Sequence, residues 1–434
     1  MTRKRTLVLV LAAAMLSACN AAGTGGIAKT DGTNEAEAIV TKPAELVIYS
    51  SSGWTEEAFN DRFGNAIRQK FPQHTIRYIQ KVKGMDYPDL LTSGQQIDMI
   101  WESVAAFSKA LQYNVHMDMT DLIKKHNIDT GRIEPTMLDA MRKMSDGKLY
   151  ALPVVNNTMS LYYNKDLFDK FGVSYPKDGM TWDEVLELNR QLTRTEGGVQ
   201  YIGLALSLGH YFDISPLSVT KIDPKTLKPT LQDDKWKAMF QIFTRMSEPS
   251  GYKEKLQEIK AIPGVNHFVK TRDAAMLAGL ANVHVTQDVT GLNWDVVSYP
   301  TYKEAPGMHP QAYPTYFGVS GISQHKDEVM EIIQYLLSDE FQLAVSKTGT
   351  LPVVKNDAVR QAFAQETKFK DKNVKSALYS SFAPIAVQSL YDSYVSAAYT
   401  KKLVDLASGD MDLNTLLRTS EEEAVKEMEA AKLK

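Results

Sequence analysis

At 434 residues the chain exceeds one ordinary domain core, so two domains are expected. Its 44% apolar and 23% charged residues are globular in kind and exclude a mainly disordered chain, a collagen-like repeat or a polytopic membrane protein. A net charge of −3 offers no basic field for nucleic acid, and a single Cys excludes an internal disulfide framework or a Cys-rich zinc site.

The chain opens with a basic run, Arg3, Lys4 and Arg5, followed by an apolar stretch from Leu7 to Leu16. That stretch is too short to span a bilayer, which needs about 20 residues. Leu16-Ser17-Ala18-Cys19 comes next, with small residues before the only thiol in the chain. The arrangement resembles a bacterial lipoprotein signal peptide over residues 1–18, which implies lipid attachment at Cys19 on the extracytoplasmic face of the cell membrane. Residues 19–43 are rich in Ala, Gly, Thr and Asn and read as a flexible linker.

Glu45 to Ser50 is a short β-branched and aromatic run, expected as a strand, and Ser51 to Trp54 as the loop after it. Phe59, Phe63, Ile67 and Phe71 recur every four residues and predict an amphipathic helix from Glu56, ended by Pro72. His74 to Gln80 predicts a strand buried on both faces, because Ile79 breaks the alternation begun by Ile76 and Tyr78. A short helix near Asp89 and a third strand ending at Trp101 follow. Further on, Leu167 to Phe171 predicts a helix closed by Gly172, and Thr181 with Glu184 has the spacing of a capping box. Tyr201 to Leu208 reads as a strand, His210 to Phe212 as a loop, and Glu421 to Lys434 as an amphipathic helix. This strand–helix rhythm predicts α/β architecture with mostly parallel sheets, whose ligands sit beyond the carboxyl ends of strands.

Several segments occur in a recognisable order: Tyr150 to Asp166 with Gly172 and Thr181 to Glu184, then Phe268 to Met276, Trp294 to Pro300, Phe317 to Ile322, Gly349 to Pro352 and Leu406 to Gly409. Together they resemble family 1 of the extracellular solute-binding proteins of ABC importers, which includes maltose- and oligosaccharide-binding proteins. The resemblance implies a two-lobe, type II periplasmic-binding-protein-like fold with the ligand cleft between lobes. Carried over, 44–153 and 272–317 would form one lobe, and 154–271 and 318–434 the other. It also implies a carbohydrate, an oligosaccharide in particular, as ligand, ABC permease subunits with a separate ATPase as partners, and a monomeric receptor without catalytic residues, cofactor or metal.

Sugars present hydroxyls and C–H faces, so aromatic platforms and planar polar side chains are the candidates for contact. Ser51, Ser52 and Trp54 lie in the first strand-to-helix loop, where Trp54 either meets ligand or packs on its own helix. Trp101 and Glu102 fall where similar proteins place an aromatic and an acid in the cleft. Asn157 replaces a hinge carboxylate of the maltose-binding relatives, with Asn156 beside it. His210 and Tyr211, Asn282, Tyr316 and Tyr391 complete the set. Asn282 stands where many relatives carry a Trp, whereas Tyr162, Tyr163 and Trp182 read as structural.

Enzyme signatures are missing from the sequence. It contains no His-Glu-x-x-His and no phosphate-binding Gly-x-x-x-x-Gly-Lys-Ser/Thr, and Gly318-Val-Ser-Gly321 misplaces the closing Gly of a nucleophile elbow. A secreted glycan-active enzyme, a structural lipoprotein and a receptor for another polar solute, such as an oligopeptide, remain the alternatives.

Overall fold

The structure is a computed structural model that describes residues 42–432. The signal peptide, Cys19 and all but the last two residues of the 19–43 linker lie outside the described residues.

Ten strands follow in chain order: β1 (Glu45–Tyr49), β2 (Thr75–Ile79), β3 (Met99–Ser103), β4 (Leu152–Val155), β5 (Met159–Asn164), β6 (Arg194–Glu196), β7 (Val199–Leu206), β8 (Ala274–Leu280), β9 (Trp294–Ser298) and β10 (Thr315–Val319). They form two five-stranded sheets, ordered β2-β1-β3-β10-β4 and β6-β7-β8-β5-β9. Helices cover both, giving two α/β lobes.

Alternation along each strand sorts side chains between the two faces. In the first sheet Leu46, Ile48, Ile76, Tyr78, Met99 and Trp101 join one apolar core. Val47, Tyr49, Ile79, Ile97 and Ile100 form a small apolar cluster on the opposite side. Thr75 and Arg77 alternate as exposed residues with buried Ile76 and Tyr78, so β2 is covered on one face until Ile79, where the other face is covered too. The helix after β1 is capped by Thr55, whose hydroxyl accepts the Ala58 N–H, and buries Phe59, Phe63 and Ile67. Its turn Asn60–Gly64 is π-helical between the α-helical pieces Glu56–Phe59 and Asn65–Lys70. In the second lobe, Thr181 and Glu184 form the capping box of helix Trp182–Leu192, and Gly172 ends Lys165–Phe171 in the left-handed region.

Two expectations need correction. The sheets are mixed: only β2-β1-β3 and β7-β8 are parallel, while β10 runs antiparallel to both β3 and β4, and β5 to both β8 and β9. A strand that returns from the other lobe enters its sheet from the opposite end, so the crossings themselves create the antiparallel pairs. The lobe boundaries also differ. Most of 272–317 does not belong to the first lobe, because β8 and β9 flank β5 in the second sheet and only β10, from Thr315, returns to the first. Nor does the second lobe resume at 318. Helices Lys326–Leu336 and Asp339–Thr348 bury Val329, Met330, Ile333 and Phe341 in the first lobe's core. The chain crosses at residues 156–158, 299–314 and 349–363, after which the final helices pack Val395, Tyr399, Leu403 and Leu417 into the core of the second lobe, the second core.

Candidate functional site

A cavity of about 670 Å³ opens between the lobes. Its wall is built where strands end. Ser52 and Trp54 follow β1, Ser103 closes β3, Ser207 follows β7 and Asn282 follows β8. This is where ligands sit in α/β sheets.

The crossing segments form the floor. Asn156 is buried, and its Oδ1 accepts the Tyr313 N–H at 3.0 Å, while the same N–H donates to the Asn157 carbonyl at 2.8 Å. Asn157 Oδ1 accepts the Thr158 N–H at 2.9 Å. Tyr313 spans the two lobes: its ring meets His210 edge-on at 5.3 Å, and its hydroxyl donates to Ser103 Oγ at 3.2 Å. His210 pairs with Ser207 Oγ at 2.8 Å. Burial depresses its affinity for a proton, with Asp213 opposing. Asn156, Asn157 and Asn282 line the cavity. Asn156 Nδ2 and Asn282 Oδ1 have no partner among the described residues but are buried beneath the wall, and a buried polar group without a partner costs about 1–3 kcal/mol.

On the first lobe, Trp54 and Trp101 lie with centroids 6.2 Å apart, inclined by 26°. Trp54 is half-buried, but Trp101 is 1% exposed and is wedged among Phe59, Phe63 and Phe317. Trp101 therefore touches the cavity only at its edge and serves mainly as core. The Arg62 guanidinium lies over both indoles, 4.7 Å from Trp54 and 5.4 Å from Trp101.

Of the residues expected from sequence, Ser52, Trp54, Trp101, Asn157, His210 and Asn282 line the cavity, whereas Ser51, Glu102, Tyr211, Tyr316 and Tyr391 do not. Glu102 and Trp101 alternate within β3, which runs on to Ser103, so Glu102 points away from the cleft and is fully buried. There it accepts from Ser51 N–H, Ser50 Oγ, Ser52 Oγ and Tyr87 Oη, which ties down the β1 loop and buries Ser51 with it. Desolvation raises the affinity of this carboxyl for a proton, opposed by the hydrogen bonds from Ser51, Tyr87 and Ser52. Residues 208–213 are helical rather than a loop, which turns Tyr211 into the second core, where its hydroxyl donates to the Met239 carbonyl at 2.7 Å. Tyr316 is buried and donates to the Met137 carbonyl, and Tyr391 packs on the second core beside Tyr394. Tyr313 and Arg62 were missed. Tyr313 precedes Pro314 three residues before Tyr316, and Arg62 falls three residues after the buried Phe59 on a helix read only for its apolar stripe.

Sequence and structure comparisons agree with this architecture. A protein of Brucella abortus (strain 2308), named as a binding protein, is 36% identical over 83 residues, 19% of this chain and 18% of that relative. The ABC substrate-binding protein from Listeria monocytogenes in complex with cycloalternan superposes with a TM-score of 0.70 at 18% identity, covering 89% of this chain and 99% of that one. A sugar transporter from Rhizobium etli in an open conformation superposes with a TM-score of 0.66 at 19% identity, covering 88% and 98%. Residues 50–343 match the family described as bacterial extracellular solute-binding protein, and the chain belongs to that family.

Proposed function

We propose that this protein is a lipid-anchored extracytoplasmic receptor that captures a carbohydrate, an oligosaccharide in particular, and delivers it to an ABC importer. The observation that carries the reading is the interlobe cavity, in which a half-buried indole, the His210 imidazole and the residues Asn156, Asn157 and Asn282 line one space. Apolar ring faces suit sugar C–H faces, and amides that both donate and accept suit hydroxyls. The cavity's size falls within the range of small-molecule sites. The superposed Listeria and Rhizobium proteins are described as bound to cycloalternan and as a sugar transporter, which favours the same ligand class. Anchoring rests on Cys19 and the segment before it. Two or three acyl chains at about 0.8 kcal/mol per buried CH₂ would hold the receptor firmly at the membrane.

A thermal-shift panel of glycans, oligopeptides and amino acids tests the reading. A ligand at 100 times its Kd adds about 2.7 kcal/mol to stability, so the correct class stands out as a shift of several degrees. Stabilisation by oligopeptides alone, or breakdown of a glycan during the assay, would overturn it.

A further inference from the structure

The Arg62 guanidinium lines the interlobe cavity and rests on Trp54 and Trp101, with Phe63 at 5.1 Å. It is half-buried, and no carboxylate pairs with it among the described residues. Burial lowers its pKa to about 10, with only the Tyr78 phenol opposing, so it remains a full cation near neutral pH. Asp61, its neighbour in sequence and the other charged side chain on the cavity wall, is exposed and forms no ion pair with it.

A cation taken from water usually acquires an anionic partner, because stacking on aromatic rings offsets only part of its desolvation. The three rings lie close to the guanidinium carbon and offer its N–H donors no oxygen or nitrogen acceptor. None of those donors is spent on a group among the described residues. A planar fork of this kind matches an oxyanion through two parallel hydrogen bonds. The position is structurally fixed as well. Arg62 sits in the π-helical turn Asn60–Gly64, where the Asn65 N–H reaches back five residues to the Asn60 carbonyl. Such turns re-aim side chains and recur at functional sites.

We infer that the ligand is an acidic glycan, whose oxyanion, a uronic carboxylate or a sulfate ester, binds the Arg62 fork beside Trp54. This inference rests on the carbohydrate reading and narrows it. The neutral remainder of the sugar would meet Asn156, Asn282 and His210 across the cavity.

The test is calorimetric titration of the full chain with matched glycan pairs. One arm pairs uronate oligosaccharides with their carboxyl-reduced counterparts, and the other pairs sulfated oligosaccharides with their desulfated counterparts. In one arm the acidic member should bind at least about 30-fold more tightly than its neutral match. Arg62→Gln should abolish that difference, with the acidic member losing the larger share of its affinity. Arg62→Lys keeps the charge without the fork and should retain part of the preference, which also guards against a folding defect in Arg62→Gln. Neutral members binding as tightly as acidic ones in both arms, or Arg62→Gln weakening both members equally, would overturn the inference and leave the carbohydrate reading standing. Failure of every glycan, acidic or neutral, to bind would overturn both.

Discussion

Single residues in this protein divide sharply by which side of a strand or helix they occupy. Trp101 and Glu102 are adjacent in sequence, yet one edges the cleft and the other anchors a loop from the far face of the sheet. Residue type pointed to both, but a register shift of one reverses every assignment. Tyr211 and His210 diverge in the same way, because a helix stands where a loop was expected. Asp392 lies on the second core side, 9% exposed, with one carboxyl oxygen unpartnered among the described residues. Burial raises its pKa to about 6, with the Lys221 charge opposing. An unfolded Asp titrates near 4, so the folded state holds this proton more tightly. The contribution to stability is therefore fully present below about pH 4, is lost between about pH 4 and pH 6, and stays lost above. Asp392→Asn should flatten that fall and raise stability at neutral pH by about 1–2 kcal/mol. Urea unfolding of both proteins at pH 4 and pH 7 reads the difference. An equal gap at the two pH values would show that the carboxyl does not titrate in the fold.

Elements were the most legible level. The apolar spacing of the helix after β1, the Thr181–Glu184 capping box and the Gly172 stop all take their expected places. These are local effects, set by residues within one or two turns of each other. Pairing between strands was not legible in the same way. Whether β10 runs parallel or antiparallel to β3 depends on which lobe the chain arrives from, a fact some two hundred residues away in sequence. Close approaches between elements are equally silent in sequence. Gly203 in β7 lies against helix Trp182–Leu192, and a Cβ there would fall 2.4 Å from the Asn189 carbonyl oxygen. The same backbone donates from Gly203 N–H to Thr193 Oγ1 at 2.9 Å, which fixes the strand at this distance. Gly203→Ala should cost about 2–3 kcal/mol, since neither backbone can yield without losing its own hydrogen bonds. Its unfolding midpoint in urea checks this, and a midpoint equal to that of the wild type would mean the two elements are not held so closely.

At the scale of the whole molecule, three crossings join two lobes, and their meeting point is the floor of the cavity. The expected second and third boundaries differ from the sheet order, because β8 and β9 lie in the second sheet. Asn156, Asn157 and Tyr313 join the first two crossings through one shared N–H and all three line the cavity, so a ligand that meets Asn156 also touches the segment that must bend if the lobes close. Closure would add contacts from the second lobe to a ligand held by the first, which favours the closed population by the difference in affinity. The central claim is that the cavity between the lobes binds the sugar, using Trp54 as a platform and Asn156 as a hydrogen-bonding group. Its most direct test is calorimetric titration of the glycan that stabilises the wild type into Trp54→Ala and Asn156→Ala. The account predicts weaker binding by about 1–3 kcal/mol for Trp54→Ala and about 1 kcal/mol or more for Asn156→Ala. Both variants binding the glycan with wild-type affinity would contradict it.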